Sequence, residues 1–186
     1  MEVSKAIKER RSIRKYTDKD ISQEIINELL NDAILAPSAM NSQPWSFFVI
    51  QDSQMLSELN TRIKKYLLGS LAERPYLNHY KGKFESGEFD VLYGSSTLLV
   101  ICSKPGSPNA EGDCHMAAQN IMLSAKEREI GSCCLGFARM YLNTDEARQW
   151  LKIPENYTIV TPMVLGYYEE NPEAPNRNPV EILFWY

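Results

Sequence analysis

Residues 113–136 read DCHMAAQNIMLSAKEREIGSCCLG, and this stretch decides the fold. Cys114, Ala117, Ala118, Ile121, Met122 and Ala125 recur at helical spacing on one face. The other face carries Met116 and Leu123. A helix apolar on nearly all sides belongs in the middle of a core. Gly131 is placed as its C-terminal stop. Outward from this helix, WSFFVI (45–50), STLLVICS (96–103) and TIVTPMVLGYY (158–168) read as buried strands, the last bounded or interrupted by Pro162. The ending, NPVEILFWY (178–186), suits an added strand, and so apolar a terminus must pack on something, such as another subunit.

Further helices complete the pattern. Val3, Ala6 and Ile7 make a short first helix that runs into arginines. Ser22 caps a second, with Ile25, Ile26, Leu29, Leu30, Ala33 and Ile34 in register, ended by Pro37. Ser53 opens a third, carrying Leu56, Leu59, Ile63 and Tyr66. Asn143 or Thr144 caps a short surface helix, NTDEARQWLKI. Between Gly69 and Gly94 the periodicity dissolves into Pro75, Gly82 and Gly87 among Tyr76, Tyr80, Phe84 and Phe89, the pattern of a lid or binding loop. The class is α+β or mixed α/β, as one domain over residues 1–186.

Composition narrows the function. The 186 residues are 44% hydrophobic and 24% charged, enough apolar surface for a real core. Net charge is −4, which disfavours nucleic acid and anionic membrane as partners. No apolar run approaches the ~20 residues of a membrane span, and MEVSKAIKERRSIRKY has no apolar block of a secretory signal, so the expected location is cytoplasmic. Cys102, Cys114, Cys133 and Cys134, with only His79 and His115, lack the spacing for zinc or an iron–sulfur cluster. They read as buried, reduced thiols. The basic cluster Arg10, Arg11, Arg14 and Lys15 is either a solvated helix end or a site for one small anion.

The motifs of serine hydrolases, P-loop NTPases and dinucleotide folds (G-x-S-x-G, G-x-x-x-x-G-K-[ST], G-x-G-x-x-G) are absent. What remains is four polar clusters. In RRSIR, extended backbone would put Arg10, Ser12 and Arg14 on one side, a donor set for a phosphate. In APSAMNSQPW, the amides of Asn41 and Gln43 suit the edge of a heteroaromatic ring. SCCLGF and APNRNP follow later, and each cluster alone reads more readily as a cap or turn than as a site.

Their order is more informative. RRSIRKY, APSAMNSQPWSF, DCHMAAQNIMLSAKEREIGSCCLG and VLGYYEENPEAPNR, taken together, resemble the nitroreductase family of flavin-dependent oxidoreductases over nearly the whole chain, Lys65–Gly94 excepted. The resemblance implies an α+β sandwich with a mainly antiparallel central sheet flanked by helices. It implies an interlocked homodimer with FMN at the interface and the C-terminal strand laid on the partner's sheet. The family's phosphate pattern falls on Arg10, Ser12 and Arg14, with Arg11 between them and Arg177 as the late basic residue. Pro175 and Asn176 stand where many members have another basic residue, so binding rests more heavily on Arg10 and Arg177. Pro37, Ser38, Asn41 and Gln43 match the segment that lines the flavin from the other subunit. Leu135 and Gly136 match the loop near flavin N5.

The implied reaction takes hydride from NAD(P)H at N5 and passes electrons to a nitro-aromatic, quinone or similar acceptor in a ping-pong cycle. It demands no side-chain acid or base, so no catalytic residue and no metal ligand is assigned. Arg14 would stabilise charge near the flavin N1 and O2. Other flavin chemistry on the same scaffold (dehydrogenation, dehalogenation, flavin breakdown) and a non-enzymatic FMN-binding role are the alternatives.

Overall fold

A computed structural model describes residues 2–186, and three of its helices begin where a side chain satisfies a free N–H group of the first turn. Helix α1 spans Val3–Glu9. Helix α2, Gln23–Ala33, starts where Ser22 Oγ accepts from the Ile25 N–H at 3.3 Å, and it buries Ile26, Leu29 and Ala33. Strand β1 is Trp45–Ile50, and α3, Ser53–Gly69, opens on the Asp52 carboxylate. After a 3-10 turn at Pro75–Tyr80 come α4 (Lys81–Glu85), β2 (Thr97–Ser103) and α5 (Ala110–Glu127). Strand β3 (Ile130–Cys134), α6 (Gly136–Leu142), α7 (Asp145–Leu151) and β4 (Thr158–Tyr167) complete the order. Thr144 caps α7, while Asn143 bridges Arg139 and Ile159.

The four strands form one antiparallel sheet in the order β1-β2-β4-β3. Strand β2 is buried on both faces, and its period of two feeds two cores. Leu98, Val100 and Cys102 join the layer of α3, α4, α6 and α7. Leu99 and Ile101 join the layer of α2 and α5. Each fully buried Leu or Ile of this kind contributes about 1.5–3 kcal/mol. The result is the helix–sheet–helix sandwich expected. Strand β4 runs through Pro162, which has no N–H to give the ladder, and a register irregularity at Ile101/Cys102 on the neighbouring strand lies beside it.

Four expectations are corrected. Gly131 is no helix stop: α5 ends at Glu127, the left-handed residue is Glu129 (φ 58°), and Gly131 lies inside β3. That strand went unread because IGSCC is short and poor in β-branched and aromatic side chains. The Gly69–Gly94 stretch is packed rather than a free lid. Leu77, Phe84, Val91 and Leu92 are buried, and Phe84 meets Phe137 edge-on at 5.1 Å. Asp90 accepts from the Leu92 and Gly94 N–H groups (2.7 and 2.8 Å) and fixes the turn that ends it. Residues 178–186 form no strand within this chain, and the apolar side chains from Val180 to Tyr186 are 57–109% exposed. Finally, Cys102, Cys114 and Cys133 are buried free thiols, but Cys134 reaches the surface. Burial pushes the Cys102 thiol up to about 12 and Cys114 up to about 11.

Candidate functional site

Gly131 on β3 pairs directly with Gly166 on β4, so two neighbouring strands lack side chains at one spot on the same face. The N-terminal segment lies across this bare patch. A Cβ on Gly131 would sit 2.7 Å from Ile13, and one on Gly166 would sit 2.7 Å from the Tyr16 ring. Ser12 bridges Ser132 in parallel, and the Ile13 N–H donates to the Ser132 carbonyl at 3.0 Å. Tyr16 Oη donates to the Ile13 carbonyl at 2.7 Å, and burial drives its phenol pKa well upward. Residues 10–14 are thus held extended, as the alternation of Arg10, Ser12 and Arg14 requires.

The cations so placed are free. Among the described residues, the side chains of Arg10 and Arg14 pair with no carboxylate, and the Ser12 hydroxyl makes no hydrogen bond. Arg11 is turned back on α1, where Nη1 donates to the carbonyls of Lys8 and Arg10 (2.7 and 2.9 Å). Arg14 faces the Tyr93 ring at 5.9 Å. Burial raises the Cys133 thiol pKa while Arg14 and Arg10 pull it back, and Arg10 does the same at Cys134. Both guanidiniums therefore act on the end of β3, immediately before Leu135 and Gly136.

One cavity is lined by this segment, and a second lies at the end of β3. The first, about 540 Å³, lies between Ser12–Asp18 and Glu169–Pro172. The other, about 330 Å³, has Leu135 and Gly136 in its wall with Tyr76, Tyr93, Cys134 and Met140. The Leu135 N–H is taken by the Pro162 carbonyl at 2.9 Å, whereas a Cβ on Gly136 would meet nothing within 4 Å. Tyr76 and Tyr93 belong to the stretch whose aromatics were expected to shape a pocket, but Phe84 and Phe89 of the same stretch serve the core. Nothing in the local sequence separates the two pairs.

Pro37, Ser38, Asn41 and Gln43 lie elsewhere. They precede β1 at one edge of the sheet, and the arginine segment borders β3 at the other. Three strand spacings put these edges about 14 Å apart. Pro37, Asn41 and Gln43 are exposed, and the Asn41 and Gln43 amides bond each other at 3.2 Å. Arg177 lies on the exposed stretch after β4 and pairs with no carboxylate among the described residues. One chain therefore joins Arg10, Ser12, Arg14, Leu135 and Gly136 and leaves the other candidates apart. Asp113, Tyr16 and Gly166 were not singled out in the sequence. An acid in the first turn of a helix looks routine, and only the fold shows where it points.

An antiparallel helix-flanked sheet thus sets two guanidiniums, neither ion-paired among the described residues, beside a short strand-to-helix loop at a sheet edge. Comparison with known proteins gives that arrangement its family: residues 7–167 match the Nitroreductase family. A relative from Archaeoglobus fulgidus, provisionally named an NADH dehydrogenase/NAD(P)H nitroreductase, is 34% identical and aligns over 97% of this chain and 96% of its own. A 4-nitrobenzoate reductase of Nocardioides is 26% identical over 94% of this chain and 85% of its own. The crystal structure of a nitroreductase with bound FMN from Bacteroides fragilis superposes with a TM-score of 0.84 at 28% identity, covering 100% of this chain and 98% of that one. The chain belongs to the nitroreductase family.

Proposed function

We propose that this protein passes electrons from NAD(P)H through FMN to a nitro-aromatic, quinone or similar conjugated acceptor. As a nitroreductase-family member it is an FMN-dependent oxidoreductase. Its residues fit that cofactor. Two guanidiniums and a hydroxyl on one face of an extended segment, none hydrogen-bonded or ion-paired among the described residues, form a phosphate donor set. The space at Gly136 admits a ring against the backbone.

Bound FMN supplies hydride exchange at N5. The chain binds and orients it. Arg10, Ser12 and Arg177, with Arg11 nearby, hold the phosphate, and Arg14 faces the pyrimidine edge. Leu135 and Gly136 flank the ring. Pro37, Ser38, Asn41 and Gln43 line it from the second subunit of a homodimer. The two-edge arrangement supports the dimer, because only a second copy can bring the Asn41 loop to the Arg10 face. The exposed tail Ile182–Tyr186 supplies apolar surface for the same interface. We place the reaction in one domain over residues 1–186 in the cytoplasm; no helix among the described residues is long and apolar enough to cross a membrane.

The Arg10–Ser12–Arg14 face, whose donors make no hydrogen bond or ion pair among the described residues, carries this reading. Its test is anaerobic titration of the FMN-saturated protein with NADH or NADPH, then with a nitro-aromatic or quinone. Bleaching followed by stoichiometric re-oxidation is expected. Flavin that neither nicotinamide bleaches would overturn the proposal.

A further inference from the structure

The loop from Ser38 to Gln43 holds three residues in left-handed backbone, none of them glycine: Met40 (φ 55°), Asn41 (φ 52°) and Gln43 (φ 45°). A side chain disfavours each of these conformations, so the surrounding structure must impose them. The charged group that reaches into this loop from elsewhere in the fold is Asp113. It stands in the first turn of α5, 74 residues away in sequence, and is 0% exposed.

Both Asp113 carboxylate oxygens accept from the Ala39 N–H at 3.2 Å. Oδ2 also faces the hydroxyls of Ser42 (3.5 Å) and Ser107 (3.4 Å), which lie 2.9 Å from each other. Asn109 Nδ2 donates to Oδ1 at 3.1 Å. Among the described residues no cation pairs with it. A carboxylate at a helix start ordinarily faces water and its own helix. This one is buried, and its hydrogen bonds go to both flanks of the left-handed turn. The loop's inward atoms, at Ala39 and Ser42, are thereby gripped, while Met40 (92% exposed), Asn41 and Gln43 are turned outward.

We infer that Asp113 is a positioning residue for the flavin: it holds the Met40–Gln43 turn so that the Asn41 and Gln43 amides meet the isoalloxazine edge across the dimer. The inference rests on the reading above that Asn41 and Gln43 contact the cofactor. Such loops need pre-organisation, because an amide pair on a mobile turn loses its geometry at the ring. The loop's own hydrogen bonds, Asn41 N–H to the Ser38 carbonyl, Ser42 N–H to the Ala39 carbonyl and Gln43 N–H to Ser38 Oγ (each 3.0 Å), close the turn but do not tie it to the body of the protein. Asp113 makes that tie at Ala39, and at Ser42 it acts together with the Ser107 hydroxyl, which it also contacts.

The experiment compares Asp113→Asn, Asn41→Ala and Gln43→Ala in the full-length, FMN-loaded protein. Asp113→Asn keeps the size of the side chain but turns a donor toward the Ala39 N–H. Its FMN dissociation constant should rise on the order of tenfold, as for loss of one hydrogen bond to a charged group. The visible flavin band and the reduction potential of the FMN-saturated variant should also move, in the same direction as in Asn41→Ala. A lower melting temperature with an unmoved band and potential would make Asp113 merely structural and overturn the inference. If Asn41→Ala and Gln43→Ala move nothing, the contact reading itself fails and takes this inference with it. If they move both readouts and Asp113→Asn moves neither, only the inference fails. Should Asp113→Asn not fold, the milder pair Ser42→Ala/Ser107→Ala decides by the same readouts.

Discussion

The two edges of the sheet solve opposite problems. Beside β3, the Arg10–Arg14 segment is fixed through its backbone and through Ile13 and Tyr16, and the side chains of Arg10, Ser12 and Arg14 make no hydrogen bond or ion pair among the described residues. Before β1, the Ser38–Gln43 loop is fixed through polar contacts to one buried carboxylate. The first edge buries apolar atoms and spares its donors. The second uses its inward donors and turns its amides out. A region that must bind an anion keeps its cations unpaired, because a neighbouring carboxylate would compete for them. A region that must present two amides across an interface needs rigidity first.

The largest effect should come from the element that joins two copies. Deleting Ile182–Tyr186 should convert a dimer to monomer and release FMN with it, since the cofactor site would need both edges. Size-exclusion chromatography and visible absorbance check this. A truncated monomer that keeps its flavin would place both edges' functions within one chain and break the comparison.

Next come the free cations. Arg10→Ala should cost about 1.5–3 kcal/mol of FMN affinity, and Arg177→Ala a similar amount. Full flavin occupancy in both variants after extensive dialysis would remove them from the phosphate. Gly131→Ala tests the seat rather than the donors. Its methyl would meet Ile13 at 2.7 Å and should lower stability by about 1–3 kcal/mol, with weaker FMN binding. Adding Ile13→Ala should not restore the loss, because the residue-13 Cβ (2.8 Å) and the Tyr168 ring (2.9 Å) still meet the new methyl, and thermal melts of the double variant check this.

That seat also shows why parts of the fold were legible and others were not. WSFFVI and STLLVICS announce strands because β-branched and aromatic residues fill a sheet buried on both faces. The IGSCC strand has no such signal. Its state is set by pairing with β4, and its glycine answers to Ile13, a residue 118 positions earlier by numbering (131 − 13). Gly69–Gly94 looked like a loop because 3-10 turns and five-residue helices carry no period, yet Phe84 and Leu77 are core. The tail reads as a strand from its alternation, but a strand needs a neighbour, and within one chain it has none. The arginine and amide motifs were visible because their chemistry is local. Asp113 was not, since its meaning lies in a loop 74 residues away.

Arg14 offers a finer cut at the first edge, because it can serve the ring or the phosphate. Beside the ring, its charge favours uptake of electrons. Arg14→Gln should then lower the flavin potential by roughly 30–60 mV, given that ~30 mV equals ~1.4 kcal/mol for a two-electron couple and one partly screened charge is worth about that much. Its proximity to Tyr93, in the wall of the cavity beside Leu135, supports the ring position. Spectroelectrochemical titration of the FMN-saturated variant decides. An unshifted potential with weakened FMN binding would move Arg14 to the phosphate.

The smallest effect concerns the link between the two edges. Glu111, two residues before Asp113 on α5, pairs with Arg139 of α6 at 2.7 Å, and α6 begins at Gly136. The Arg139 guanidinium holds the Glu111 carboxyl below its ordinary value of 4.5. A carboxyl that ionises more readily when folded adds stability above the unfolded pKa and loses it as pH falls through the folded one. Glu111→Gln should therefore lower the melting temperature slightly at neutral pH. The difference from wild type should shrink as pH falls below about 4.5 and vanish once both forms are protonated. The pair is solvent-exposed, so salt should also erase it. If the edges act independently, the variant changes melting alone. If α6 transmits to the amide loop through this bridge, the variant's visible flavin band differs from wild type at neutral pH and low salt, and added salt moves the wild-type band to the variant's position.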